Sequence, residues 1–336
     1  MSRITRINSK VQKVTIKDVA KYAGVGVGTV SRVINNSPHV DTKTKIKVLE
    51  AIKILGYTPN PHARRLSTGT SNLITVITPE MKGDFYQILM SSIDEVLMKY
   101  GYSSLLYPLY NRNKLESLKL SSDILLSTDG IIVDGVNVDD VLVDIINPQA
   151  PIVCIEQDSE KYDSVLVDNR YGGVIAGDYF SEFDMDIFVV THRKSHELES
   201  TVFDERLEGF QESLEKKGRS IDKIYYVPLD WESTFEVARR LFTRFTRCAI
   251  FTTTDYLAVP IIEVARTKGL KVGQDIRVCG FDDLPIAQVL EITTVRQPIH
   301  EMGKLAAELL IKRIKGKTTG KASKYVLKPE LIVRAT

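Results

Sequence analysis

The sequence predicts a small all-α N-terminal headpiece of helix-turn-helix type joined to a larger α/β core of two parallel-sheet subdomains. Three observations predict it. Between residues 15 and 55 the apolar residues recur at helical spacing around a short glycine-bearing turn. From residue 73 onward, short apolar strands alternate with amphipathic helical stretches, the pattern of βα units. Charge is also divided: residues 1–70 carry 13 Lys/Arg and 3 Asp/Glu, whereas the whole chain of 336 residues carries 45 and 43. A basic block on an acidic body points to a polyanion as the partner of the block alone.

Residues 1–13, MSRITRINSKVQK, are basic and hold no apolar run, which predicts a basic disordered arm and not a signal peptide. In TIKDVAKYAG, Ile16, Val19, Ala20 and Ala23 fall at i, i+3, i+4 and i+7, a helical stripe, with Thr15 and Asp18 spaced as a capping box. The next stretch, AGVGVGTVSRVIN at 23–35, carries glycines at 24, 26 and 28 and raises the question of a nucleotide loop. A dinucleotide fingerprint needs G-x-G-x-x-G directly after a strand. Its third glycine would be Thr29 counted from Gly24 and Ser31 counted from Gly26, and a helix enters the stretch. The nucleotide reading fails. Gly24 instead supplies the positive φ of a tight turn, and a second helix over about 27–35 turns Val30, Val33 and Ile34 inward.

A third helix follows Asp41 in TKTKIKVLEAIKILG, with Ile46, Leu49, Ile52, Ile54 and Leu55 available for packing. The three helices make a DNA-binding domain over 14–58 in which the second helix is free to enter a major groove. NPHARRLSTG at 60–69 opens on Asn60-Pro61 and closes on Gly69; it is too short for a stable helix alone, and 59–70 is assigned as a hinge.

The core, 71–336, offers strands at 73–78, 102–109, 130–135, 151–156, 164–169, 186–192, 223–229, 248–254 and 276–283. Helices are expected at 84–100, 171–183, 203–217, 232–245 and 255–269. So many βα units imply two subdomains with helices on both sheet faces. Cys154, Cys248 and Cys279 lie far apart without CxxC spacing and read as buried small hydrophobes, excluding a disulfide framework or a zinc site. No window approaches about 20 consecutive apolar residues, so no membrane span and a cytoplasmic setting are expected. His192, Ser195, His196 and Asp204 are near in sequence, but their spacing fits neither a nucleophile elbow nor a metal motif. An enzyme is not expected, and no cofactor or metal is called for.

TIKDVAKYAGV…TVSRVIN followed by GYTPNPHARRLSTG resembles the LacI/GalR family of bacterial transcription regulators. The resemblance implies that Val27 and Gly28 open a recognition helix over base edges, that Arg32 contacts a base or phosphate, and that Thr29 and Ser31 bind phosphate or base. Thr15 and Asn35 join them as DNA contacts. In the hinge it implies Leu66 as a minor-groove wedge, with Ala63 at the groove floor and Arg64 and Arg65 near phosphates. Gly26 departs from the family's usual Ser or Thr, and Gly28 has no side chain for base readout; specificity then leans on Val27, Arg32 and the hinge.

By the same resemblance the core looks like a periplasmic sugar-binding protein. Its N-subdomain would comprise about 71–168 and 298–323, its C-subdomain about 169–295 and 324–336, with YVLKPELIVRA joining the latter. The implied effector pocket holds Phe85, Tyr86, Glu156, Arg206, Trp231, Thr254, Asp282 and Gln297, carboxylates, an arginine and aromatic rings suited to a sugar. Thr254, beside Asp255, stands where the family usually has Asn, and Thr191-His192 replaces its usual glycines, so the pocket is remodelled. The resemblance implies a homodimeric, sequence-specific regulator, expected as a repressor of carbohydrate-utilisation genes. It would bind a pseudo-palindromic double-stranded DNA operator under control of a small-molecule effector, expected as a sugar, that either releases or promotes binding. An alternative is the family's catabolite-control type, governed by a phosphorylated protein co-effector.

Overall fold

Asp18 sets where the first helix begins. Its carboxylate accepts hydrogen bonds from the Thr15 backbone N–H at 2.8 Å and the Thr15 hydroxyl at 2.7 Å, and α1 (Ile16–Ala23) follows. The computed structural model describes residues 14–34, 37–58, 70–79, 83–109, 111–120, 125, 127–137, 150–192, 201–317 and 320–336. The chain divides into two units, Met1–Ser71 and Asn72–Thr336.

In the first unit Gly24, at φ 66°, ends α1 in the left-handed region that glycine enters without strain. Then α2 (Val27–Ile34) starts where the Gly26 carbonyl accepts the N–H groups of Thr29 and Val30, and α3 (Thr42–Leu55) is capped by Asp41, which accepts from the Thr44 N–H at 2.9 Å. Val19, Ala20, Val30, Val33, Val48 and Ala51 bury together between the three helices. This corrects the expected packing face of the third helix. Val48, Ala51, Ile52 and Leu55 form the inward stripe, whereas Ile46, Leu49 and Ile54 are exposed. The 48, 51, 52, 55 spacing is the i, i+3, i+4, i+7 face, and small Ala51 lets the helices approach closely.

The second unit opens with β1 (Leu73–Thr78), α4 (Asp84–Lys99), β2 (Ser103–Pro108), α5 (Arg112–Leu120), β3 (Gly130–Asp134), β4 (Ile152–Ile155) and β5 (Asp163–Val167). It continues through α6 (Asn169–Phe180), β6 (Asp186–His192), α7 (Val202–Lys216), β7 (Lys223–Val227), α8 (Trp231–Leu241), β8 (Cys248–Thr252) and α9 (Asp255–Thr267). It closes with β9 (Ile276–Asp282), α10 (Pro285–Val289), β10 (Thr293–Arg296), α11 (Ile299–Ile314), β11 (Lys324–Leu327) and β12 (Glu330–Ile332). One sheet has the order β11-β5-β4-β3-β1-β2 and the other β12-β10-β9-β8-β6-β7. All neighbours are parallel except β10 with β12.

Helices cover both faces of the second sheet, which explains the unbroken apolar runs of its strands. Along β6, Ile187 and Val189 pack with Phe180 and Phe210 of α6 and α7, while Phe188 and Val190 pack with Leu241 and Ile261 of α8 and α9. On the first sheet, Leu89 and Ile93 of α4 and Met302 and Leu310 of α11 bury against Ile74, Val76 and Val153. The three cysteines are buried.

Crossings between the sheets fall at Asp168, at Gln297–Pro298 and at Lys328–Pro329. The last corrects the expectation that the whole segment from 324 joins the second subdomain: β11 pairs parallel with β5 in the first sheet, and only β12 joins the second. Pro329 is the physical reason. It has no N–H to continue a ladder, so YVLKPELI breaks into two strands on different sheets. The contact of α6 with α7 is backbone-close: a Cβ on Gly173 would lie 2.1 Å from the Arg206 carbonyl oxygen, and one on Gly209 would lie 1.9 Å from the Arg170 carbonyl oxygen. Those glycines set the height at which Arg206 enters the core.

Candidate functional site

In the first unit, α2 turns Val30 and Val33 into the core and leaves the opposite side for a partner. Val27 is 42% exposed, Gly28 and Arg32 are exposed, and Thr29 and Ser31 are half-buried. The free face therefore presents an apolar side chain, bare backbone, two hydroxyls and a cation, the mixture that groove reading and phosphate contact need. Lys17, Lys21, Lys43, Lys47 and Lys53 are exposed on the same small unit. Thr15 is exposed with its hydroxyl turned to Asp18. Asn35, Ala63, Arg64 and Leu66, like the arm at 1–13 and Ser195 and His196, lie outside the described residues.

In the second unit a cleft forms where strand carboxyl ends of both sheets converge, the position at which open α/β sheets bind ligands. The first sheet contributes Pro79 after β1, Asp134 and Gly135 at the end of β3, and Glu156 after β4. Phe85 and Tyr86 come from the first turn of α4, their rings edge to face at 5.2 Å. The other side brings His192 from β6, Phe203 and Arg206 from α7, Thr254 and Tyr256 around the start of α9, and Asp282 from β9. The space is about 840 Å³ including its open mouth.

Arg206, 2% exposed, organises the far wall. Its Nε donates to Asn169 Oδ1 at 2.8 Å, and its Nη1 donates to the Thr253 carbonyl at 2.7 Å and to Asp282 Oδ1 at 3.2 Å. The guanidinium lies 3.9 Å from the Phe281 ring centroid. Asp282 also accepts from the Thr254 hydroxyl at 2.6 Å and from Gln297 Nε2 at 2.5 Å. Asp255 accepts from the Thr294 hydroxyl at 2.6 Å and the Leu284 N–H at 2.8 Å, tying the start of α9 to β10. Such a network is bonded on nearly every arm, so it can hold its geometry while the cleft is empty.

The near wall is different. Asp134 Oδ1 and Glu156 Oε1 are shielded from solvent and have no hydrogen-bond partner. Burial, with the neighbouring Glu156 charge, pushes the Asp134 carboxyl well above the usual carboxylate range. Burial likewise raises Glu156 to about 7, against the opposing pull of the Arg206 charge. Burial also raises Asp282, less so because Arg206 sits beside it. Glu156 at φ 54° and Asp282 at φ 110° hold left-handed backbone where non-glycine residues are strained, and both sit at strand ends in the cleft.

Of the sequence-predicted pocket residues, Phe85, Tyr86, Glu156, Arg206, Thr254 and Asp282 line this one cleft. Gln297 is buried behind Asp282 and donates to it. Trp231 is 41% exposed and outside the lining; its Nε1 donates to the Tyr256 carbonyl at 3.1 Å and its ring backs the Tyr256 ring at 5.5 Å. Tyr256 takes the wall position expected of Trp231. Asp134, Phe203 and Tyr256 are not among the sequence-predicted residues, and the sequence marks His192 as an unusual strand end and as a member of a polar group without catalytic or metal spacing. Asp134 closes the run GIIVD, and an acid ending a buried strand was the available signal. Among the described residues no His/Cys/Asp/Glu group could hold a metal, and no helix is long and apolar enough to cross a membrane.

Comparison with known proteins settles the family. The model described as "Bacterial regulatory proteins, lacI family" matches residues 15–60, and a periplasmic binding protein-like domain matches 186–336. The HTH-type transcriptional regulator DegA of Bacillus subtilis is 35% identical over 333 residues, covering 96% of this chain and 97% of DegA. The chain belongs to the lacI family of bacterial regulatory proteins. The ribose operon repressor of Halalkalibacterium halodurans is 30% identical, with 96% of each chain covered. Among solved structures, the transcriptional regulator CelR in complex with cellobiose is 28% identical with a TM-score of 0.68, over 96% of this chain and 99% of CelR. As a lacI-family member the protein is a DNA-binding transcription regulator and not an enzyme. Its exposed α2 face carries Val27, Gly28, Thr29, Ser31 and Arg32, the residues expected from the sequence to contact DNA.

Proposed function

We propose that this lacI-family protein is a homodimeric repressor of carbohydrate-utilisation genes, whose grip on DNA is set by a sugar bound in the cleft of the second unit. The observation that carries the reading is the cleft itself. It combines solvent-shielded carboxyl oxygens awaiting partners with Phe85, Tyr86, Phe203 and Tyr256 on its walls. A sugar has polar edges for the first and an apolar face for the second. Relatives point the same way, since one is a ribose operon repressor and another was solved with cellobiose.

In this reading two headpieces place Val27, Gly28, Thr29, Ser31 and Arg32 in successive major grooves of a pseudo-palindromic operator, with Thr15 and Asn35 at the flanking backbone. Leu66 of the paired hinges enters the central minor groove as the wedge, with Ala63 near the groove floor and Arg64 near the phosphates. A ligand gripped by both subdomains favours one relative angle between them. Whichever angle suits the paired hinges decides whether the ligand releases or promotes DNA binding, a coupling between distinct sites.

A thermal-shift screen of mono- and disaccharides, ribose and cellobiose included, followed by titration of the responding sugar onto the adjacent operator DNA, tests the reading. A sugar that shifts both melting and operator affinity supports it. A phosphorylated carrier protein that shifts operator affinity where no sugar does would replace it with the catabolite-control type.

A further inference from the structure

One turn of the chain serves both sheets of the second unit. Asp282 ends β9 and faces the cleft; Leu284, two residues on, lines the same cleft and buries in the apolar cluster of the first sheet with Leu89 and Met302. Asp282 and Asp283 stand at φ 110° and 56°, two consecutive non-glycine residues in the left-handed region. Such strain persists where the surroundings over-determine it. Here they do. The Asp283 side chain, 2% exposed, accepts from Arg296 Nε at 2.7 Å and from Arg334 Nη2 at 2.6 Å. Arg334 also donates to the Ile292 carbonyl at 2.8 Å, and Arg296 to Glu330 Oε1 at 2.7 Å, so the turn is tied to β10 and β12 together. Asp255 holds its other end, accepting from the Leu284 N–H at 2.8 Å. From Arg296 the chain runs straight into the crossover at Gln297–Pro298 and on into α11, which buries on the first sheet.

Resting on the effector reading above, we propose that Asp283 is a positioning residue of the effector response. Paired with Arg296, it makes the Asp282–Leu284 turn and the crossover move as one piece, so that the first sheet follows what the cleft holds. Charge-assisted hydrogen bonds from two guanidinium groups make that joint stiff. Asp282 does not depend on Asp283 for its own aim, because Arg206, Thr254 and Gln297 hold its carboxylate. What Asp283 holds is the chain between Asp282 and Leu284 and its link to the strand before the crossover. Binding and response therefore separate. Loosening Asp283 leaves the cleft able to take its ligand and frees the first sheet from following, which removes coupling free energy without removing a site.

The test uses the full chain, its operator duplex and a panel of neutral mono- and disaccharides with D-ribose and cellobiose among them. Calorimetry gives Kd for the responding sugar, and fluorescence anisotropy gives operator affinity without it and at saturation. Arg296→Gln leaves Asp283 its Arg334 partner, and Asp283→Asn leaves a single acceptor oxygen that cannot serve both arginines. Arg240→Gln, which cuts an exposed pair with Glu236 on α8, is the control. The expected result is a sugar Kd within about threefold of the parent throughout, with an operator response that falls from about fivefold or more to below about twofold in the first two variants alone. A merely structural role would lower the urea midpoint and leave the response intact. A response above about twofold in either folded variant, or a sugar Kd weakened in Arg296→Gln beyond about threefold, overturns the proposal and leaves effector control standing. Should Asp283→Asn not fold, Arg296→Gln decides alone. No response of the parent chain to any sugar overturns the effector reading and the proposal with it.

Discussion

Replacing Glu156 by Gln should change how the stability of the core depends on pH, and the structure gives the size. Burial raises the Glu156 carboxyl from 4.5 to about 7. The folded chain thus holds a proton that the unfolded chain releases across that interval. Stability is full below about pH 4.5 and falls as pH rises through about 7, with a plateau above. At about 1.4 kcal/mol per unit, the loss belonging to this group is about 3 kcal/mol. Glu156→Gln keeps the shape and removes the titration, so the variant should gain about 3 kcal/mol on the parent between pH 5 and pH 8. Trp231, the chain's single tryptophan, makes the assay local to the second unit, because its indole bonds the Tyr256 carbonyl there. Urea titrations followed by its fluorescence at pH 5, 6, 7 and 8 give the difference directly. Slope that persists in the variant belongs to the other buried carboxyls, Asp134, Asp255 and Asp282, which burial also raises. Parallel stability curves for parent and variant over the whole range would refute the claim that this carboxyl is desolvated.

Arg206→Ala should destabilise the core by about 3–5 kcal/mol, read from the same titrations, because Asp282 is left buried without its cation. Arg206→Lys should not restore it, since an ammonium cannot serve Asn169, Thr253 and Asp282 from one planar fork. Gly173→Ala should cost about 3 kcal/mol by forcing α6 from α7, where the new Cβ would meet the Arg206 carbonyl oxygen. Leu66→Ala should weaken binding to the operator far more than binding to random DNA, measured by fluorescence anisotropy on both duplexes; equal losses would remove the wedge. Deleting residues 1–13 should flatten the dependence of log Kd on log salt, as fewer counterions are released.

How much of this was legible depends on whether a feature leaves a local trace. The three headpiece helices were readable because Ile16, Val19, Ala20 and Val30, Val33 repeat at helical spacing around Gly24, which ends α1 as that spacing requires. The inward face of α3 was misread because Ala51 is small and counts for little by hydropathy, although its smallness is why it packs. The strands of both sheets were readable as apolar runs between helices. The split of the last segment between sheets was not, since a proline inside a strand-like run signals an interruption without saying where each half goes. In the cleft, residues bearing charge at strand ends were found, and Asp134 was missed only because nothing marked that strand end as converging with Glu156. The exchange of roles between Trp231 and Tyr256 is a matter of three-dimensional stacking order, which spacing does not encode.

The most direct measurement is the affinity of the full chain for an inverted-repeat duplex and for a scrambled duplex of equal length, each with and without the sugar found by thermal shift. The account predicts a preference for the repeat of about a thousandfold or more at physiological salt, and a change of about fivefold or more in that preference on adding the sugar. Equal affinity for the two duplexes, unmoved by any ligand of the cleft, would contradict it.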